Sequence, residues 1–158
     1  MMIFKNRIFN LLTILISISF SVELGVESFE KQDDGTYLAD IYMINIKPLA
    51  GFQLDLLPKG LFEIQTIYGG KGEQAGFNMS AGKKGTMLGF SFSGAVIEPS
   101  KSNNMEENIL FTLSLKPLVK MDKNTPKLTV TNKRIIEFYN NNPNLEFETM
   151  NIMLIDIL

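Results

Sequence analysis

Residues 50–94 read AGFQLDLLPKGLFEIQTIYGGKGEQAGFNMSAGKKGTMLGFSFSG. Two alternating apolar runs flank a connection punctuated by glycine. In Phe52-Gln53-Leu54-Asp55-Leu56 and Leu88-Gly89-Phe90-Ser91-Phe92 the large apolar side chains fall at every second position. That is the period of an extended strand, whose successive side chains point to opposite faces. Each run is therefore expected to have a core side and a solvent side. Phe52, Leu54, Leu56, Leu88, Phe90 and Phe92 are placed inward, and Gln53, Asp55, Met87, Gly89 and Ser91 on the opposite face.

The same grammar extends in both directions. Tyr37 to Ile46 is rich in β-branched and aromatic residues and is closed by Pro48, which cannot donate to a sheet ladder. Leu61 to Tyr68 reads as a less regular strand. Gly69 to Gly72 reads as a flexible connection, with one helical turn at Glu73-Gln74-Ala75 stopped by Gly76. Phe77 to Ser80 is a short strand, and Gly82-Lys83-Lys84-Gly85 a hairpin loop into Thr86 to Ser93. Ser100 to Asn108 is a polar surface loop. Beyond it Ile109, Phe111, Leu113 and Leu115 fall on one side of a strand, and Leu110, Thr112 and Ser114 on the other. Leu128 to Tyr139 is extended, Asn140 to Asn144 a turn, and Leu145 to Ile155 a returning strand. About eight or nine short strands with turn residues at regular spacing predict an all-β, antiparallel two-sheet sandwich. A closed barrel is the alternative topology.

The N-terminus reads as an address. Lys5 and Arg7 precede an apolar run from Ile8 to Phe20, followed by small residues and the first acid at Glu23. Residues 1–21 are expected to be a secretory signal, the competing reading being a retained anchor, because the run is shorter than the roughly 20 apolar residues that span a bilayer. Residues 22–36, which lack a period and end in the turn signal Asp33-Asp34-Gly35, read as a leader, and 37–158 as one domain. The expected location is secreted or at the extracellular surface, with no membrane partner once the signal is removed.

Composition excludes whole classes of chemistry. The chain of 158 residues has no cysteine and no histidine, so Ser–His, Cys–His and His–zinc sites are ruled out. A formal net charge of −2 offers no attraction to phosphate backbones, and no nucleic-acid partner is expected. The glycine cluster at Gly69 to Gly76 lacks the Gly-Lys-Ser/Thr ending of a phosphate loop and reads as a tight structural connection. Among Asp55, Glu63, Glu73, Glu98, Glu106 and Glu107 no spacing picks out the carboxylate pair of a glycosidase. Asp33 and Asp34 lack the later acid of a calcium loop. No cofactor, metal site or catalytic residue is expected. Asn78-Met79-Ser80 is one N-glycosylation sequon. Tyr37, Tyr42, Tyr68 and Tyr139 are the candidate exposed platforms for sugar stacking.

Taken in order, GFQLDL, GGKGEQAGF, LGFSFSGAVIEP and ILFTLSL resemble a cohesin-like domain. The matching positions are Gly51 to Leu56, Gly69, Gly70, Gly76, Phe77, Leu88 to Ser91, Gly94 and Pro99, with a weaker likeness over Leu128 to Leu145. The resemblance implies a jelly-roll sandwich related to carbohydrate-binding modules, exported and non-catalytic, that binds a calcium-loaded dockerin-type protein in an extracellular assembly, in some settings one that degrades polysaccharide. The expected partner-binding set is Gln53, Asp55, Met87, Gly89, Ser91, Leu110, Thr112 and Ser114, a mixed face with an apolar centre near Met87 and Leu110. An ordinary wet sheet face is the alternative reading of those residues, and direct binding of a polysaccharide through tyrosines and the Asn140 to Asn144 loop is the alternative function.

Overall fold

Residues 22–137 are those that the computed structural model describes. Their order is β1 (Val22–Lys31), β2 (Tyr37–Asn45), β3 (Leu49–Leu57), β4 (Phe62–Tyr68), the one-turn helix α1 (Gly70–Gln74), β5 (Asn78–Ala81), β6 (Thr86–Phe90), a 3-10 turn (Glu106–Asn108), β7 (Ile109–Pro117) and β8 (Thr129–Glu137). The strands form two antiparallel sheets of four, β1-β2-β7-β4 and β5-β6-β3-β8. Only β1–β2 and β5–β6 are hairpins within one sheet; the other connections between successive strands pass from one sheet to the other, as in a jelly roll. The expected all-β sandwich is what forms.

Two residue properties select this arrangement. The inward rows are almost wholly apolar: Ala39, Ile41 and Met43 of β2, Phe52 and Leu54 of β3, and Phe111, Leu113 and Leu115 of β7 are all 0% exposed. Burying such rows between two sheets is the main favourable term in the fold. The turns carry the rest: the β5–β6 hairpin closes where the Gly85 amide donates to the Gly82 carbonyl (2.9 Å) and Gly82 to that of Thr86 (2.7 Å).

Two expectations change at the level of elements. Residues 22–36 are not merely a leader, since Val22–Lys31 is a full strand that pairs with β2 from Val22↔Asn45 to Lys31↔Tyr37. A register shift between Val26 and Ser28 breaks the alternation, which hides the strand from a search for period two. The Gly-Gly connection is tighter than a flexible linker. Gly70 has φ +64, and a Cβ there would lie 2.4 Å from the Leu110 backbone carbonyl, so α1 rests directly on β7. The expected signal at 1–21, the turn at Asn140 to Asn144 and the returning strand Leu145 to Ile155 lie outside the described residues.

Candidate functional site

In β3 and β6, Phe52 lies opposite Gly89 and Leu54 opposite Met87. Directly opposed residues project from the same face, so these are the inward pairs. Met87 is 0% exposed and Gly89 is buried. A Cβ on Gly89 would stand 2.2 Å from Cζ of the Phe52 ring, which is held from its other sides by Phe111 (centroids 5.7 Å) and Phe77 (6.2 Å). Residue 89 thus lacks a side chain because the Phe52 ring occupies that volume. The inward placement expected for Leu88, Phe90 and Phe92 is therefore corrected. Leu88 and Phe90 are half-buried on the outer face, and Phe92, just past the end of β6, is 73% exposed with its ring edge-on to Phe90 at 4.8 Å.

The outer face of β5-β6-β3-β8 is consequently graded. At one end Asp55 pairs with Thr86; Gln53 and Leu88 follow; then come Gly51 and Phe90, with Asn78 of β5 beside Phe90 and Ile136 of β8 beside Gly51. Phe92 extends the apolar end. Asp55 is only 6% exposed, yet it is well satisfied. Its carboxylate accepts from Thr86 Oγ1 at 2.7 Å and lies 3.1 Å from Lys59 Nζ and 3.4 Å from Lys133 Nζ. Burial opposes ionisation, but the Thr86 hydroxyl and the two ammonium groups outweigh it and hold Asp55 below the usual carboxylate range.

The other expected site residues do not join this face. Leu110 is the extra residue of a bulge in β7, where Ile41 pairs with Phe111 but Tyr42 with Ile109; the bulge turns it into the core at 0% exposure. Ser91 is 2% exposed, its Oγ accepting from the amides of Ser93 and Ala95 (both 3.2 Å), so it shapes a turn. Thr112 and Ser114 face outward, but from the opposite sheet. There Thr112 Oγ1 and Ser28 Oγ donate to Asp40 at 2.6 and 2.8 Å. Of the expected set, only Gln53 and Asp55 share the face, and Leu88, Phe90, Phe92, Lys59 and Lys133 are the members that alternation alone did not assign to it.

The tyrosines are also redistributed. Tyr42 is 8% exposed and donates to Glu23 at 3.1 Å. Burial, then that hydrogen bond, raises its pKa. Tyr37 stacks on Phe29 at 4.8 Å, Tyr68 is exposed, and Tyr139 and Asn140 to Asn144 lie outside the described residues. At the rim, Lys71 of α1 donates to Asn108 Oδ1 (2.9 Å) and Ser100 Oγ (3.1 Å); burial pushes its pKa down. Ser100 is tied to buried Asn45, so this network braces the 97–108 loop.

Among the described residues no group of three or more His, Cys, Asp or Glu is placed to hold a metal ion, and no helix is long and apolar enough to cross a membrane. What the face presents is exposed aromatic surface beside a carboxylate paired with two lysines. No protein-family model matches the chain, and comparison with curated proteins and with solved structures finds no match.

Proposed function

We propose that the chain is an exported, non-catalytic recognition module that docks a partner protein on the outer face of β5-β6-β3-β8. The observation that carries this is the Leu88-Phe90-Phe92 ridge, ending in a phenylalanine 73% exposed, beside a charged end organised by Asp55. Interfaces tend to combine an aromatic anchor with a polar rim of this kind. The cohesin-like motifs supply the partner class, a calcium-loaded dockerin-type domain, and the setting, an extracellular assembly acting on polysaccharide. Direct sugar binding has less to stand on, because of the candidate tyrosines among the described residues only Tyr68 is exposed as a platform.

Titration calorimetry of the full chain against a panel of calcium-loaded dockerin-type domains tests the reading. Binding to a member of the panel that weakens at least about tenfold in Phe92→Ala, roughly 1.4 kcal/mol, supports it. If no member binds and the chain is instead retained on polysaccharide in a manner that Tyr68→Ala abolishes, the docking reading fails.

A further inference from the structure

Among the described residues the two outer faces of the sandwich differ in charge. On β1-β2-β7-β4, Glu30 of β1 lies opposite Leu38, Asp40 of β2 opposite Ser28, and Glu23 further along opposite Ile44. A cleft of about 360 Å³ on that face is lined by Glu27, Glu30, Asp40 and Glu106 together with Ser28, Leu38 and Ile109, and no cation lines it. On β5-β6-β3-β8, Lys59 and Lys133 lie 3.1 and 3.4 Å from Asp55, and Arg134 stands opposite Gln53. Lys84 stands exposed on the neighbouring hairpin loop and has no ion-pair partner among the described residues. Glu30 and Glu106 are likewise exposed and without an ion-pair partner.

We propose that the acidic cleft face of one copy receives the cationic, aromatic face of the next, so that the chain self-associates head to tail. This rests on the docking reading of the second face and names an occupant for it, a second copy, which would compete with any foreign partner. Because the two faces lie on opposite sides of one sandwich, the contact is heterologous. It leaves a free face at each end, and so builds an open row of modules in place of a closed dimer. Charge complementarity selects the occupant: the acidic cleft suits lysine side chains, and Lys133 of β8, Lys59 beside Asp55 and Lys84 of the β5–β6 loop present them from the opposite sheet. The apolar ridge ending at Phe92 supplies contact area that charge alone does not.

Sedimentation of the full chain, with a non-ionic detergent present so that the apolar N-terminal run does not itself associate, tests this. At about 0.01 M salt charges act over roughly 30 Å, and at about 1 M over roughly 3 Å. The expected result is mass that grows with protein concentration in the first condition and a monomer in the second. The double variants Glu30→Lys/Glu106→Lys and Lys84→Glu/Lys133→Glu should each be monomeric alone. Their equimolar mixture should associate again, from dimers upward, since the intact faces complement each other and so do the two charge-reversed ones. Circular dichroism checks that both stay folded. If either does not, Glu30→Lys and Lys84→Glu, which have no ion pair to lose, are mixed instead and read the same way. A wild-type chain that is monomeric at low salt, association indifferent to salt, or a mixture that stays monomeric overturns the proposal. Loss of dockerin-type binding in Phe92→Ala alongside any of those results leaves the docking reading standing, and the two failures are thereby separable.

Discussion

β3 and β6 are neighbours with the same apparent signal, large apolar residues at every second position, yet one presents that series to the core and the other to solvent. In β3, Phe52, Leu54 and Leu56 are at most 3% exposed. In the β6 segment, Leu88, Phe90 and Phe92 face out while Met87 and Gly89 face in. Alternation establishes that a strand has two sides, but the choice between them belongs to the partner strand. Here Phe52 makes the choice, since its ring needs a position without a Cβ opposite it, and Gly89 is that position. A glycine between two bulky residues is the mark of a close approach in a strand.

The largest expected effect breaks the deeper half of that pair. Phe52→Ala removes a fully buried ring that contacts Phe77 and Phe111, and unfolding in urea should show a loss of about 3–5 kcal/mol. Gly89→Ala comes next, at about 1–3 kcal/mol, because the new methyl meets a ring whose other sides are already packed. The pair should not be additive. In a Phe52→Ala background the volume above residue 89 is empty and an alanine fits an extended backbone better than glycine, so Gly89→Ala should then be neutral or stabilising by about 0.4–1 kcal/mol. An unchanged penalty in that background would mean the glycine is there for some reason other than the ring.

The sandwich itself was legible in the sequence because turn residues and apolar alternation are local properties. They place the β5–β6 hairpin and the strand at Ile109, and they give a helical turn at Glu73 to Ala75 where the helix runs Gly70–Gln74. What was not legible is set by contacts between distant segments. Leu110 belongs to an alternating run, but a bulge against Ile41 and Tyr42 turns it inward, and only the pairing register reveals this. The Leu88-Phe90-Phe92 ridge was hidden by the rule that large apolar residues face the core. Periodicity turns Thr112 and Ser114 outward, as they are, yet it cannot assign an outward residue to one sheet or the other. The bulge of β1 between Val26 and Ser28 interrupts the period and hides that strand.

The charged end of the outer face should answer to pH in a way the aromatic end does not. Asp55 has a lowered pKa in the folded chain. Its contribution to stability is therefore complete above the unfolded carboxylate value near ~3.9 and is lost as pH falls through the folded value. Asp55→Asn keeps an acceptor for Thr86 but discards the attraction to Lys59 and Lys133. At neutral pH it should cost about 1 kcal/mol, and the difference from wild type should shrink once the pH is below the folded value of Asp55. Urea unfolding of both proteins across that range measures it, and a difference constant with pH would show that the carboxylate's charge contributes nothing.

The smallest effect is expected at the residue that most exposes the contrast between the two strands. Phe92 carries as much apolar surface as Phe52, so an argument from residue type alone would give both substitutions the same cost. Only its edge contact with Phe90 is lost in Phe92→Ala, and the remainder of the ring already faces water. Stability should change by no more than about 0.5 kcal/mol. A cost approaching that of Phe52→Ala would mean that the ridge is packed within the fold, and that Leu88, Phe90 and Phe92 belong to a second apolar layer of the domain itself. A negligible cost leaves a ridge that the fold does not need for its own stability, which is the condition for its aromatic surface to be available to something else.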